Sequence, residues 1–173
     1  MEIKHYIFGI ITGVITSFLA FLIKEWIQNK KAKKLELKKY TILLQSTRNE
    51  ISFYQGKLNQ LSGEINNIIN DLQKGNKCIM PSYSLYPDFL EKCKIEINSF
   101  FLSSELVKEV GECHFELCHI LERFSTEKGD LIKNNPADEF ALVNLNGLKI
   151  LIDDNIHRFS EVISHLDEEI RRF

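Results

Sequence analysis

The stretch Arg158-Phe-Ser-Glu-Val-Ile-Ser-His165 sets an arginine and a histidine seven residues apart. Seven residues is two turns of helix, so both side chains project from one face. Such a pair can carry metal-independent RNA cleavage. The imidazole would move the proton of a 2′-hydroxyl, and the guanidinium would hold the phosphate as charge develops. The competing interpretation is the polar edge of an amphipathic helix, beside the Phe159–Leu166 seam. A second cluster is Cys113-His114 with Cys118-His119, flanked by Glu112 and Glu116. Only His114 and Cys118, four apart, are well placed to share a face. Cys113 lies on an apolar seam and reads as core. A zinc site would need further donors converging from elsewhere, so no metal and no cofactor is assigned. The chain has no GxxxxGK[ST], no GxGxxG after a strand, no HExxH and no GxSxG. ATP-driven work and the common hydrolase mechanisms therefore have no support.

The elements that position these residues are helices. No proline precedes Pro81. Over 37–72 one heptad position holds Leu37, Leu44, Ile51, Leu58, Ile65 and Leu72, and the other holds Tyr40, Thr47, Tyr54, Leu61 and Ile68. That spacing predicts one long helix whose seam serves either its own domain or another copy. Residues 75–87 read as a loop, and Pro87 can open the next helix, whose apolar residues are Phe89, Leu90, Cys93, Ile97 and Phe100. Ser103 or Ser104 can cap a helix with its seam at Leu106, Val110, Cys113, Leu117, Ile120 and Phe124, ending near Lys128–Gly129. Asn135-Pro136 with Asp138 starts the last helix, with a seam at Leu142, Leu145, Ile152, Ile156, Phe159, Ile163, Leu166, Ile170 and Phe173. No strand is apparent, and the domain reads as an all-α bundle of about four helices.

The amino-terminal end is of a different kind. Tyr6–Ile23 (YIFGIITGVITSFLAFLI) runs eighteen residues without a charge. As a helix it would measure about 27 Å, close to the roughly 30 Å of bilayer hydrocarbon. Only Lys4 precedes it, and KEWIQNKKAKK follows, which does not resemble a signal-peptidase site. The segment is therefore read as an uncleaved transmembrane anchor. At 100° per residue, Gly9, Gly13 and Ser17 and the adjacent Thr12, Thr16 and Ala20 fall in one arc about 140° wide. Small residues let helix backbones approach closely, so this arc is the expected association or pore-lining face.

The chain is 173 residues long, one domain's worth, with 44% hydrophobic and 27% charged residues, which excludes a disordered or linker-dominated protein. Net charge is −2, yet residues 1–40 hold 8 Lys against 3 Glu, a local +5. The lysines after the span, Lys24, Lys30 and Lys31 among them, place the carboxyl-terminal domain in the cytoplasm by the positive-inside bias. Trp26 would sit with Lys24, Lys30 and Lys31 at the inner interface, and Tyr6 at the outer one. Stop-transfer and attraction to anionic lipid account for these lysines, so direct nucleic-acid binding is not expected. Four cysteines without a disulfide spacing suit a reducing compartment. The expected organisation is an extracytoplasmic 1–5, a transmembrane 6–23, a basic juxtamembrane 24–40 and a cytoplasmic helical domain 41–173.

An R-x4–6-H pair near the end of an all-α domain is the hallmark of HEPN ribonucleases. Joined to a single amino-terminal span, it makes the chain resemble the small membrane-anchored accessory proteins of type VI-B CRISPR systems. The resemblance covers the whole chain in architecture and two residues, Arg158 and His165, in motif. It implies a HEPN-like fold and a homo-oligomeric ring, of about eight subunits, whose spans form a pore in the bacterial inner membrane. It also implies that the pore depolarises the membrane and so enhances defence by a CRISPR RNA-targeting nuclease. Phe159 stands where active HEPN sites usually carry a polar residue, which leaves the pair a structural role at a subunit contact. Two further readings stay open: a membrane-tethered HEPN ribonuclease using Arg158 and His165, and a non-catalytic single-pass scaffold.

Overall fold

The structure, a computed structural model, describes the backbone of residues 2–76, 78, 80, 87, 90–93, 95, 104–133 and 139–172. Side chains are described for 16–76, 78, 80, 87, 90–93, 95, 105–128 and 140–172. The described chain is all-α. Helix α1 spans Glu2–Gln73, α2 spans Ser104–Lys133 and α3 spans Glu139–Arg171. Leu90–Cys93 form a further helical turn, entered through the Pro87 carbonyl, which accepts from the Leu90 and Glu91 amides at 3.0 and 3.4 Å.

The chain divides into two units, Met1–Thr41 and Ile42–Phe173. In the first, Phe18, Leu19, Phe21, Leu22, Ile23, Trp26 and Ile27 are all exposed, at 41–61%. The Lys30 ammonium lies 4.0 Å from the centre of the Trp26 ring, one helical turn away. Among the described residues no helix is long and apolar enough to cross a membrane. The expected span Tyr6–Ile23 falls largely on 6–15, whose side chains lie outside the described residues, as do Tyr6, Gly9, Thr12 and Gly13. Thr16, Ser17 and Ala20 are described and exposed.

The second unit holds the core. On α1, Leu44, Thr47, Ile51, Tyr54, Leu58, Leu61, Ile65, Ile68 and Leu72 are all buried. From Leu44 to Leu72 the seam is therefore spent within the chain. Its first position is a correction: Leu37 is 39% exposed. Thr47 tolerates burial because its hydroxyl donates to the Leu43 carbonyl at 2.9 Å. On α2 the expected residues Leu106, Val110, Cys113, Leu117, Ile120 and Phe124 are buried. The α2 helix does not stop at Lys128–Gly129 but continues to Lys133. A glycine weakens a helix by about 1 kcal/mol without ending it. The start at Asn135–Asp138 lies outside the described residues, as does Ser103.

Helix α3 corrects its expected seam. The buried residues are Leu145, Leu148, Ile152, Asn155, Phe159, Val162 and Leu166. Leu142, Ile156, Ile163 and Ile170 sit at the half-buried edge. Asn155 occupies a core position, which disguised the true register. Its amide donates to the Leu151 carbonyl at 2.9 Å, while its buried Oδ1 has no hydrogen-bond partner among the described residues.

Polar pairs fix how α1 and α3 meet. Arg48 donates to both Asp167 oxygens at 3.1 and 3.4 Å. Gln55 donates to the Ser160 hydroxyl at 2.5 Å and to the Ile156 carbonyl at 3.0 Å. Ser62 donates to Asp153 at 2.5 Å, and Lys149 holds the other Asp153 oxygen at 2.6 Å. The pairs ascend α1 by sevens, 48, 55 and 62, while descending α3 by sevens, 167, 160 and 153. The helices are antiparallel with one register, and a slip by a turn would break all three contacts.

Candidate functional site

Helix α2 turns a line of glutamates toward α3. Glu105, Glu109, Glu112 and Glu116 step by four, three and four, which keeps them along one edge. The buried seam beside them, Leu106, Val110, Cys113 and Leu117, fixes that edge against α3. On α3, buried Phe159 and Leu166 fix the ring of residues that carries Arg158 and His165.

The structure brings the two candidate residues onto this acidic line. The Arg158 guanidinium pairs with Glu112 in a short contact and stands 3.8 Å from Glu116. His165 Nδ1 lies 2.9 and 3.1 Å from the two oxygens of Glu109. Both partners are half-exposed, with 42% of the Arg158 and 54% of the His165 side chain open to solvent. The hydrogen bond and charge of Glu109 raise the His165 pKa above the ordinary imidazole value, slight burial opposes this, and Glu168 and Glu105 reinforce it. Around His165 lies a hollow of about 260 Å³, where Glu105, Glu109, Glu168, Glu169 and Arg172 surround Leu106.

This arrangement has two chemical consequences. A guanidinium engaged by two carboxylates must surrender them before it can hold a phosphate, and four carboxylates around the histidine repel a nucleic-acid backbone. A carboxylate on Nδ1 also orients an imidazole with Nε2 outward, the relation found between a general base and its positioning acid. Glu112 and Glu116 stand out in the sequence only as neighbours of the cysteines and histidines, and the 4-3-4 spacing that joins them to Glu105 and Glu109 does not say which residues of α3 they meet.

In the second cluster the pair four residues apart shares a face, and Cys113 faces the core. Cys118 Sγ and His114 Nε2 are 3.8 Å apart across one turn. Cys113 is buried, and burial pushes its thiol up to about 12, with Arg158 opposing and Glu109 and Glu112 adding to the rise. Among the described residues no three His, Cys, Asp or Glu side chains converge as metal ligands. On the exposed part of α1, Trp26, Lys24, Lys30 and Lys31 form an aromatic and basic band.

No protein-family model matches the chain, and neither the curated proteins nor the solved structures contain a match.

Proposed function

We propose that the chain is a single-pass protein of the bacterial inner membrane that assembles with copies of itself into a pore. In this reading Tyr6–Ile23 crosses the bilayer, amino terminus outside, and the carboxyl-terminal domain stays in the cytoplasm. The arc of Gly9, Thr12, Gly13, Thr16, Ser17 and Ala20 joins neighbouring spans. The pore depolarises the membrane and thereby enhances antiviral defence by a CRISPR RNA-targeting nuclease. No charge stands in the span, so conduction would be weakly selective and gated by dewetting.

The observation that carries this reading is the set of exposed apolar side chains Phe18, Leu19, Phe21, Leu22, Ile23, Trp26 and Ile27, with the lysine-rich 30–39 beyond it. An apolar face with a basic, tryptophan-bearing border suits a bilayer interface. The Glu112 and Glu116 partners of Arg158 hold α2 to α3 and occupy the guanidinium that a phosphate would need, which favours a protein that does not cut RNA.

The test is membrane potential, read with a voltage-sensitive dye, in cells that express the protein with an activated RNA-targeting nuclease. Depolarisation is expected, together with a large oligomer in detergent. An unchanged potential, or a monomer by sizing and crosslinking, overturns the proposal.

A tethered ribonuclease is the second reading, and the Glu109–His165 pair favours it. It predicts metal-independent cleavage of single-stranded RNA that Arg158→Ala and His165→Ala abolish. Loss of defence in those variants without any cleavage by the parent rules it out.

A further inference from the structure

Helix α1 carries a second seam on the side away from its core seam. Ile42, Ser46, Asn49, Phe53, Gly56, Gln60, Gly63 and Asn67 step alternately by four and three, so they form one stripe within the carboxyl-terminal unit. None of these eight residues is charged, in a chain where 27% are. All but Ser46 are exposed, Ile42 at 52% and Phe53 at 53%. A Cβ on Gly56 or Gly63 would meet nothing within 4 Å, so nothing among the described residues requires glycine there. Glycine is disfavoured in a helix interior, and the fold draws no benefit from these two. Close approach of a second backbone to this face would.

We infer that a second copy of this chain packs along this stripe, parallel and in register. The inference rests on the self-association proposed above, because copies anchored in one membrane run in the same direction; a two-fold contact of this kind closes at two copies, so it builds pairs, and the span arcs join the pairs into the pore. The stripe is complementary to itself. Phe53 meets its counterpart across the contact, and the adjacent Gly56 lets the backbones close around the two rings. Asn49 and Asn67 each meet their own equivalent, where an amide can donate to an amide and fix the register, while the Gln60 amide donates to Glu64 at 3.0 Å within the chain and leaves its oxygen to the partner. One flank carries Gln45, Ser52 and Asn59, and the other carries Glu50, Lys57 and Glu64. In parallel register Gln45 faces Glu50, Ser52 faces Lys57 and Asn59 faces Glu64. Each pair joins a neutral hydrogen-bonding group to a charge, and no like charges meet. In the single chain the Lys57 ammonium lies 5.7 Å from the centre of the Phe53 ring and covers part of it.

The contact is small. Eight stripe and six flank residues a side fall short of the roughly 20–30 of a free-standing interface. Copies held in one bilayer need less, because tethering supplies the effective concentration.

The test uses the full chain in membranes with its two non-buried thiols removed, Cys78→Ser and Cys118→Ser. Asn49→Cys or Gln60→Cys is added singly, with Glu161→Cys on α3 as the control. Oxidation is expected to link copies through position 49 and through position 60, and not through 161. Linkage only in a mixture of the 49 and 60 variants would mean antiparallel packing and overturn the inference. An oligomer by sizing without linkage at either position also overturns it, while leaving self-association intact. A monomer overturns both. Gly56→Leu with Gly63→Leu is expected to keep the helical circular dichroism and lower the linkage yield at least tenfold. An undiminished yield would again refute the contact.

Discussion

The imidazole of His165 faces Glu109 on α2, with Glu105 on the same helix and Glu168, Glu169 and Arg172 on its own. Its pKa is raised in the fold, chiefly by the Glu109 hydrogen bond. A group whose folded pKa exceeds its unfolded value contributes stability that is complete below the unfolded value, about 6.5 for histidine. That contribution fades as pH rises through the folded pKa. Thermal unfolding followed by circular dichroism should therefore show Tm falling as pH climbs from below 6.5 into the alkaline range. Glu109→Gln should flatten that component, and a profile unaffected by the substitution would mean the pair is not linked to folding. The effect is small, since the pair is half-exposed and screened. Cysteines give a sharper reading at this scale. Cys118 is exposed, whereas Cys113 and Cys93 are buried, and burial holds the Cys113 thiol near 12. Brief alkylation of the native protein, read by peptide mass spectrometry, should label Cys118 and spare Cys113 and Cys93. Equal labelling of Cys113 would contradict the packing of α2.

Glycines separate the parts of α1 that the fold uses from those it does not. Gly75 has φ +77° and ends α1: its amide donates to the Leu72 carbonyl at 2.9 Å, and the Asn76 amide to Asp71 at 3.0 Å. This is the paired-bond ending that needs a left-handed residue just past the helix. Gly75→Ala is expected to cost about 1 kcal/mol. Gly56→Ala and Gly63→Ala meet open space in helical backbone, so each is expected to gain up to about 1 kcal/mol. Urea unfolding of the three variants decides the matter, and a destabilising change at Gly56 or Gly63 would refute the open environment. Legibility in the sequence followed the same division. The seams of α1 and α2 could be read because apolar residues recur there almost without exception. The seam of α3 could not, because Asn155 holds a core place and Ile156 and Ile163 lie at its edge. Periodicity reports average polarity and not which neighbour a residue meets. For the same reason Arg158 and His165 are visible as a motif while their pairing with glutamates 46 and 56 residues away is not.

At the scale of the whole molecule the three readings differ in what they ask of residues 6–23. Seven large apolar side chains between Phe18 and Ile27 are exposed at 41% or more. Each leaves on the order of 1 kcal/mol of burial unrealised in water, and a contiguous patch of that kind marks a contact with lipid or protein. A scaffold needs only an anchor there, and a tethered ribonuclease needs no more. A pore needs neighbouring spans to come close, which Gly9, Gly13 and Ala20 permit and leucine at the same places forbids. Replacing residues 6–23 with polyleucine of equal length, Lys4 and Lys24–Lys39 unchanged, keeps the hydrophobic thickness and the positive-inside charge while removing the small-residue arc. The pore reading then predicts a protein that still fractionates with membranes and still holds its helical domain, but no longer depolarises cells with an activated nuclease. Retained depolarisation would mean that the sequence of the span is immaterial, and the association arc would have to be abandoned. Pairing the same replacement with the Asn49→Cys linkage assay separates the two contacts. If α1 copies still link at position 49 while depolarisation is gone, the helical domain assembles by itself and the span contributes conduction.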